Sequence, residues 1–182
     1  MVEKNRASNS KIILSVLFFG WIVSYIDRTV ISLSLVQISQ DLSLDASKLG
    51  IILSAFFMGY ALMQIPGGWL ADRFGSRRVI TTAILFWSIF TALTGLAWSL
   101  TSLILIRFLF GIGEGGYPSA STKAISDYFP VAKRTKAQST MMSSNALGGA
   151  LAPIICAPLL ALLGWRHVFW VVSLLGIIVV VC

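Results

Sequence analysis

The sequence predicts an all-α integral membrane protein, a bundle of six transmembrane helices. Three observations predict it. Hydrophobic residues make up 57% of the 182-residue chain and charged residues 12%, whereas soluble domains are about a quarter charged. Long apolar runs follow one another at residues 12–36, 49–70, 79–98, 101–125, 137–163 and 167–182. The lysines and arginines cluster on alternate connections between those runs. In water such a chain would expose far too much apolar surface, so its natural solvent is a bilayer.

The first run follows Lys4, Arg6 and Lys11, as the apolar core of a signal peptide would. It holds Asp27 and Arg28, lacks a small-residue cleavage site and leads into further spans, so it is read as a retained helix. The second run closes, turns and opens the third within "GGWLADRFGSRRVI", residues 67–80, where Gly75 suits a tight turn. The fourth carries "LIRFLFGIGEGGYP", residues 105–118, and Pro118 removes a backbone hydrogen bond and favours a kink there. The fifth contains "NALGGALAPIICAP", whose small residues suit close packing and whose Pro153 and Pro158 suit a bent helix beside a cavity. The first five runs reach the roughly 20 residues needed to cross the hydrocarbon core. The sixth stops at Cys182 while still apolar, which reads as a fragment or a truncated gene product.

The net charge of +7 does not point to nucleic acid. Lys4, Arg6 and Lys11 precede the first span, Arg73, Arg77 and Arg78 lie between the second and third, and Lys133, Arg134 and Lys136 lie between the fourth and fifth, just after Lys123. The other connections hold only Lys48 and Arg166. That asymmetry places the N-terminus in the cytoplasm of a multi-pass cell-membrane protein. Cys156 and Cys182 both fall in apolar spans, so no disulfide framework is expected. His167 follows Trp165 and Arg166 at an outer boundary and reads as an interfacial side chain; metal sites need several converging ligands. No nucleophile–base set, metal cluster or phosphate loop suggests an enzyme.

The charges inside the spans carry the function. At 1.5 Å per residue, Glu114 lies about 20 Å from the outer end of the fourth span, and Asp27 about 22 Å from the cytoplasmic start of the first. In a core about 30 Å thick both lie near the middle. Arg28 is slightly outward of Asp27, and Arg107 shares a helical face with Glu114, seven residues away. Each such charge costs about 2.5–3.5 kcal/mol unless paired or wetted, and intramembrane charges usually mark an ion or substrate path. A purely structural salt-bridge network is the competing reading, but buried pairs are poor stabilisers. A carboxylate whose arginine partner can leave has two protonation states within reach, as a proton carrier requires.

The glycines of "GIGEGG" match a nucleotide-loop spacing, but no strand precedes them. Gly111 and Gly115 also form G-x-x-x-G, which permits close helix approach in a membrane. Asp72, at the membrane edge beside Arg73, Arg77 and Arg78, suits a switchable ion-pair cluster that Asp127 joins from the end of the fourth span.

The motif Gly68-x-Leu70-x-Asp72-Arg73-x-Gly75-x-Arg77-Arg78 resembles the loop motif of the major facilitator superfamily between its second and third helices. "SYIDRTVISLSL", "RFLFGIGEGGYPSA", "DYFPVAKRTKAQS" and "GWRHVFW" are similar to its anion:cation symporter group, which takes up galactonate, glucarate, hexuronate and related organic anions with protons. The resemblance implies the N-terminal six-helix half of a twelve-helix fold, built from two inverted three-helix repeats, with the C-terminal half missing. It implies Asp27 and Glu114 as proton-coupling carboxylates, Arg28 as the group that meets the substrate carboxylate, and Arg107 as the charge partner that competes for an acid. Tyr25, Tyr60 and Asn145 match cavity positions; Gly68, Asp72, Arg73, Gly75, Arg77, Arg78 and Asp127 form the cytoplasmic gating motif. The coupling ion is the proton, with no other cofactor. The alternatives are a facilitator or antiporter of another solute on the same scaffold, and a non-transporting half-length remnant or subunit.

Overall fold

A computed structural model describes the backbone of residues 2–181 and the side chains of residues 10–179. Cys182 and the side chains of Lys4 and Arg6 lie outside the described residues. The protein is all-helical: α1 Val2–Leu42, α2 Ala46–Phe74, α3 Ser76–Thr94, α4 Leu100–Gly115, α5 Tyr117–Tyr128 and α6 Val131–Val181. Helices α4 and α5 together form the fourth pass. Gly164, at φ 73° and ψ 164°, breaks α6 into the fifth and sixth passes.

Chain chemistry sets these limits. Asp45 caps α2 by accepting from the Lys48 backbone N–H at 2.9 Å. Ser99 and Ser102 cap α4 reciprocally. Gly75 adopts φ 87° between α2 and α3, a conformation that a Cβ would strain. Gly116 and Pro118 divide α4 from α5, because proline is tolerated in the first turn of a new helix and not inside the old one. Helix α3 ends at Thr94, four residues before the close of the third apolar run, because Gly95 starts a turn whose backbone donates to Ala92 and Leu93.

The passes pack as inverted repeats do: α1 lies mainly along α6, α2 along α4, and α3 against both α4 and α6. The first helix of each triple thus meets the second of the other. Glycine permits the closest of these approaches. A Cβ on Gly111 would come 2.9 Å from the Tyr60 nitrogen, and one on Gly67 2.5 Å from the Gly116 Cα. Gly148 similarly seats α6 on α1, where its Cβ would stand 2.7 Å from Tyr25 Cβ. Gly149 meets nothing within 4 Å.

One apolar core cluster, with Leu17, Trp21, Trp87, Phe110 and Tyr117, fills the end where α1 begins. A second, with Ile26, Val30, Leu103, Trp165 and Phe169, fills the opposite end. Buried polar groups on α1, α3 and α4 lie around their junction: Ser24, Asp27, Thr91, Thr94, Arg107 and Glu114.

Candidate functional site: a buried charge layer

Glu114 is the last residue but one of α4 and is wholly buried. Its Oε2 accepts from Arg28 Nε at 2.9 Å, and its Oε1 accepts from the Ser24 hydroxyl. Ser24 and Arg28 are one turn apart on α1, so one helical face delivers both donors. The Arg28 guanidinium carbon stands 4.5 Å from the Tyr60 ring centroid and 5.3 Å from those of Tyr25 and Phe56. Such stacking holds a planar cation where water is scarce. Arg28 Nη2 has no hydrogen-bond partner.

Asp27 turns the other way. It is buried, neither oxygen accepts a hydrogen bond, and it lies within electrostatic reach of Glu114 and Arg107. Thr91 of α3 faces it, although the Thr91 hydroxyl donates to the Trp87 carbonyl at 3.0 Å. Arg107 is equally buried, 5.1 Å from the ring centroids of both Phe110 and Phe169; its Nη2 donates to Thr94 at 3.4 Å and its Nε is unpartnered. No carboxylate of the described residues forms an ion pair with Arg107. The resemblance makes Arg107 the competitor for an acid and leaves Arg28 to the substrate. In this structure Arg28 itself holds the acid.

Tyr25, Arg28, Tyr60 and Glu114 therefore meet. Asn145 sits on α6 one turn before Gly148, the residue seated against Tyr25, and its Oδ1 is unpartnered. Among the described residues, no group of three His, Cys, Asp or Glu side chains is placed to hold a metal.

The loop motif also differs in its partner. Lys123 Nζ lies 2.9 Å from Asp127 and 3.7 Å from Asp72, joining α5 to the end of α2. Arg73 instead lies over the rings of Trp69 and Phe74, at 5.2 and 5.7 Å, and Arg77 and Arg78 are exposed. Gly68 lies alongside Ser119, whose Cβ a methyl group there would meet at 3.7 Å. Three residues of these sites have no site role in the sequence reading: Ser24, Phe56 and Lys123, the last named there only among the basic residues. Each had a local signal, since Ser24 precedes Arg28 by four, Phe56 precedes Tyr60 by four, and Lys123 precedes Asp127 by four.

The sequence profile of the Major Facilitator Superfamily matches residues 17–182. The chain belongs to that superfamily. It is a multi-pass membrane protein of a transporter family, not an enzyme. The fold is shared with a crystal structure of a bacterial homolog to the human lysosomal transporter Spinster, inward-facing and occupied. The TM-score is 0.83 at 30% identity, over 94% of this chain and 43% of that one. The probable sulfoacetate transporter of Cupriavidus necator is 41% identical over 93% of this chain and 40% of its own length. The probable galactarate/D-glucarate transporter of Escherichia coli is 36% identical over 97% and 41%. The hexuronate transporter of Bacillus subtilis is 33% identical over 89% and 38%. This major facilitator chain spans about two fifths of the length of such relatives.

Proposed function

We propose that the chain forms the N-terminal half of a secondary active transporter that carries a small organic anion together with protons. The observation that carries this reading is the Arg28–Glu114 pair. A buried carboxylate and a stacked guanidinium hold each other, and one guanidinium nitrogen stays free beside Tyr25 and Tyr60. A substrate carboxylate is a second claimant for Arg28, able to take two parallel hydrogen bonds from its fork. Protonation of Glu114 weakens its hold on Arg28 and frees the fork, so proton and anion bind together. Asp27, unpartnered near Glu114, is the second proton carrier. Arg107 offsets the charge of both carboxylates from the far side. The proton is the coupling ion, and no metal or organic cofactor takes part.

A second six-helix half completes the cavity in front of Arg28. Asp72 and Asp127, gathered on Lys123, belong to the cytoplasmic gate against that half. The protein lies in the cell membrane with its N-terminus in the cytoplasm. Relatives named for galactarate, glucarate, hexuronate and sulfoacetate support two-carbon to six-carbon acids as the substrate class. The test is uptake by the full-length protein in liposomes, with and without an inward proton gradient, across galactonate, glucarate, a hexuronate and sulfoacetate. Accumulation of at least one acid only with the gradient is expected. Equal uptake without the gradient overturns proton coupling and leaves a facilitator.

A further inference from the structure

The end of α2 and the start of α3 leave a groove of about 440 Å³ between them. The two helices meet each other far less than either meets the fourth pass. One wall carries Met63, Leu70 and Phe74, spaced seven and four residues apart so that they share a stripe of α2. The other carries Thr82, Ala83 and Phe86 of α3. The floor is Gly113 and Gly116, where the fourth pass has no side chain to fill the space. Phe74, Thr82 and Phe86 are exposed, so the groove opens on the outer surface of the bundle. None of Tyr25, Arg28, Tyr60 and Asn145 lines it, and the substrate site has no part in it.

The groove is dry in character. Its one hydroxyl, on Thr82, donates to the Arg78 and Val79 carbonyls at 2.9 and 3.1 Å. Below the mouth no lining side chain is left to hold a water, which needs several polar partners. An apolar slot left empty forfeits the dispersion contacts of its walls. From Phe74 back to Met63 is eleven residues, or about 16 Å, and from Arg78 to Phe86 eight residues, or about 12 Å. One leaflet supplies about 15 Å of the hydrocarbon core, so the groove runs the depth of an acyl chain.

The mouth is cationic. Arg78 lines it and is exposed. Arg73 lies 5.7 Å from the ring centroid of Phe74, which forms the wall there. Neither arginine pairs with a described carboxylate. Asp72, the acid of the same loop motif, is engaged by Lys123 at 3.7 Å.

We propose that this groove binds an anionic phospholipid of the cytoplasmic leaflet, with one acyl chain lying between α2 and α3 and the phosphate taken by Arg78 and Arg73. A guanidinium offers a phosphodiester two parallel hydrogen bonds, which lysine would not. A zwitterionic lipid brings an ammonium to the same two cations, and an anionic one does not. The bound chain braces α3 against α2 on the side where they lack direct contact. The leaflet follows from the orientation proposed above; the site itself does not depend on it.

Binding needs neither proton coupling nor substrate, so it is tested directly on the full-length transporter in detergent. Native mass spectrometry compares retention of dioleoyl phosphatidylglycerol and dioleoyl phosphatidylcholine. The anionic lipid should be retained about tenfold better, given two cations at the headgroup. Arg78→Gln together with Arg73→Gln should lower its retention roughly tenfold, the loss expected for hydrogen bonds to a charged group. Thr82→Trp, which fills the groove from an exposed position, should displace both lipids. Lys133→Gln removes an exposed cation outside the groove and should change nothing. Retention that ignores headgroup charge, the two arginines or the filled groove overturns the site. An equal fall with Lys133→Gln overturns it in favour of general attraction, and competition by an equal concentration of glycerol 3-phosphate shows that a phosphate alone binds, without the groove. Should the variants misfold, phosphatidylglycerol with a diazirine on its acyl chain decides on the unsubstituted protein. Met63 and Phe86 should be labelled more heavily than Leu174, an exposed residue of the sixth pass. Equal labelling, or none because the second half or a second copy of the chain covers the groove, overturns the proposal.

Discussion

In the proposed symport, Arg28 serves two anions with one planar group. Its Nε is committed to Glu114 and its Nη2 is free. Lysine at this position would keep the charge and lose both the fork and the flat face that stacks on Tyr25 and Tyr60. Hydrogen bonds to charged groups contribute about 1.5–3 kcal/mol, so Arg28→Lys should weaken substrate binding by roughly ten- to a hundredfold. Calorimetric titration of the full-length protein measures this, and an unchanged affinity removes Arg28 from the substrate site. Glu114→Gln and Asp27→Asn mimic the neutral acids while keeping size. Each should abolish proton-driven accumulation, and Glu114→Gln should retain exchange, which moves no net proton. If the charges only brace the helices, the variants would express poorly and the surviving protein would still couple. Normal accumulation in both, at normal surface expression, ends the coupling assignment.

Between residues and the bundle, the elements explain what the sequence could and could not disclose. Hydropathy located the passes because the bilayer fixes their length. Gly111 announced close packing by its spacing to Gly115, and the approach of α2 to α4 follows that spacing. A Cβ on Gly111 would press on the backbone of Tyr60 and Phe56, which cannot swing aside. Gly111→Ala should therefore cost about 1–3 kcal/mol, read as a lower thermal midpoint in detergent. Gly149→Ala, with open space around it, should be silent. Asp45 caps α2, and its bond to the Lys48 backbone, with the Lys48 side chain beside it, holds its carboxyl below the ordinary 3.8. A lowered folded value means that the cap is at full strength above pH 3.8 and is lost as the pH falls through the folded value. Asp45→Ala should lower the thermal midpoint equally at pH 6 and pH 8 and progressively less below pH 3.8; an equal effect at every pH would show that the carboxylate charge contributes nothing. The pairing of Arg28 with Glu114 was not legible. One-helix geometry sets Arg107 and Glu114 on a common face, but only tertiary packing decides which neighbour that face meets. In the bundle, Glu114 meets α1 and Arg107 meets α3 and the sixth pass. The reach of Lys123 to Asp72 was hidden for the same reason, since the two lie on different helices.

For the whole molecule, the distribution of paired and unpaired cations argues orientation more strongly than their number. At one end of the bundle the basic residues are few and engaged. Lys48 pairs with Asp45 at 3.3 Å, and Arg166 pairs with Asp41 while donating to the Ala97 carbonyl at 3.2 Å. At the other end Arg77, Arg78, Lys133 and Lys136 are exposed, and none of them pairs with a described carboxylate. Free cations resist translocation and are attracted by the anionic lipids of the cytoplasmic leaflet, at about 1 kcal/mol per residue. A neutralised cation has much less of either preference. The end carrying Arg77 and Lys133 should therefore face the cytoplasm, and the Asp45 end should face outward. Exposed positions at the two ends report this cleanly: Ser47 in the first turn of α2 and Ala132 in the first turn of α6. Ser76, although in the loop motif, is buried and would report poorly. With Cys156 and Cys182 replaced by serine in the full-length protein, Ser47→Cys should react within minutes with an impermeant maleimide added to intact cells. Ala132→Cys should react only after the membrane is permeabilised. The reverse pattern would turn the bundle over, place Lys123, Asp72 and Asp127 outside, and remove them from the cytoplasmic gate proposed for them.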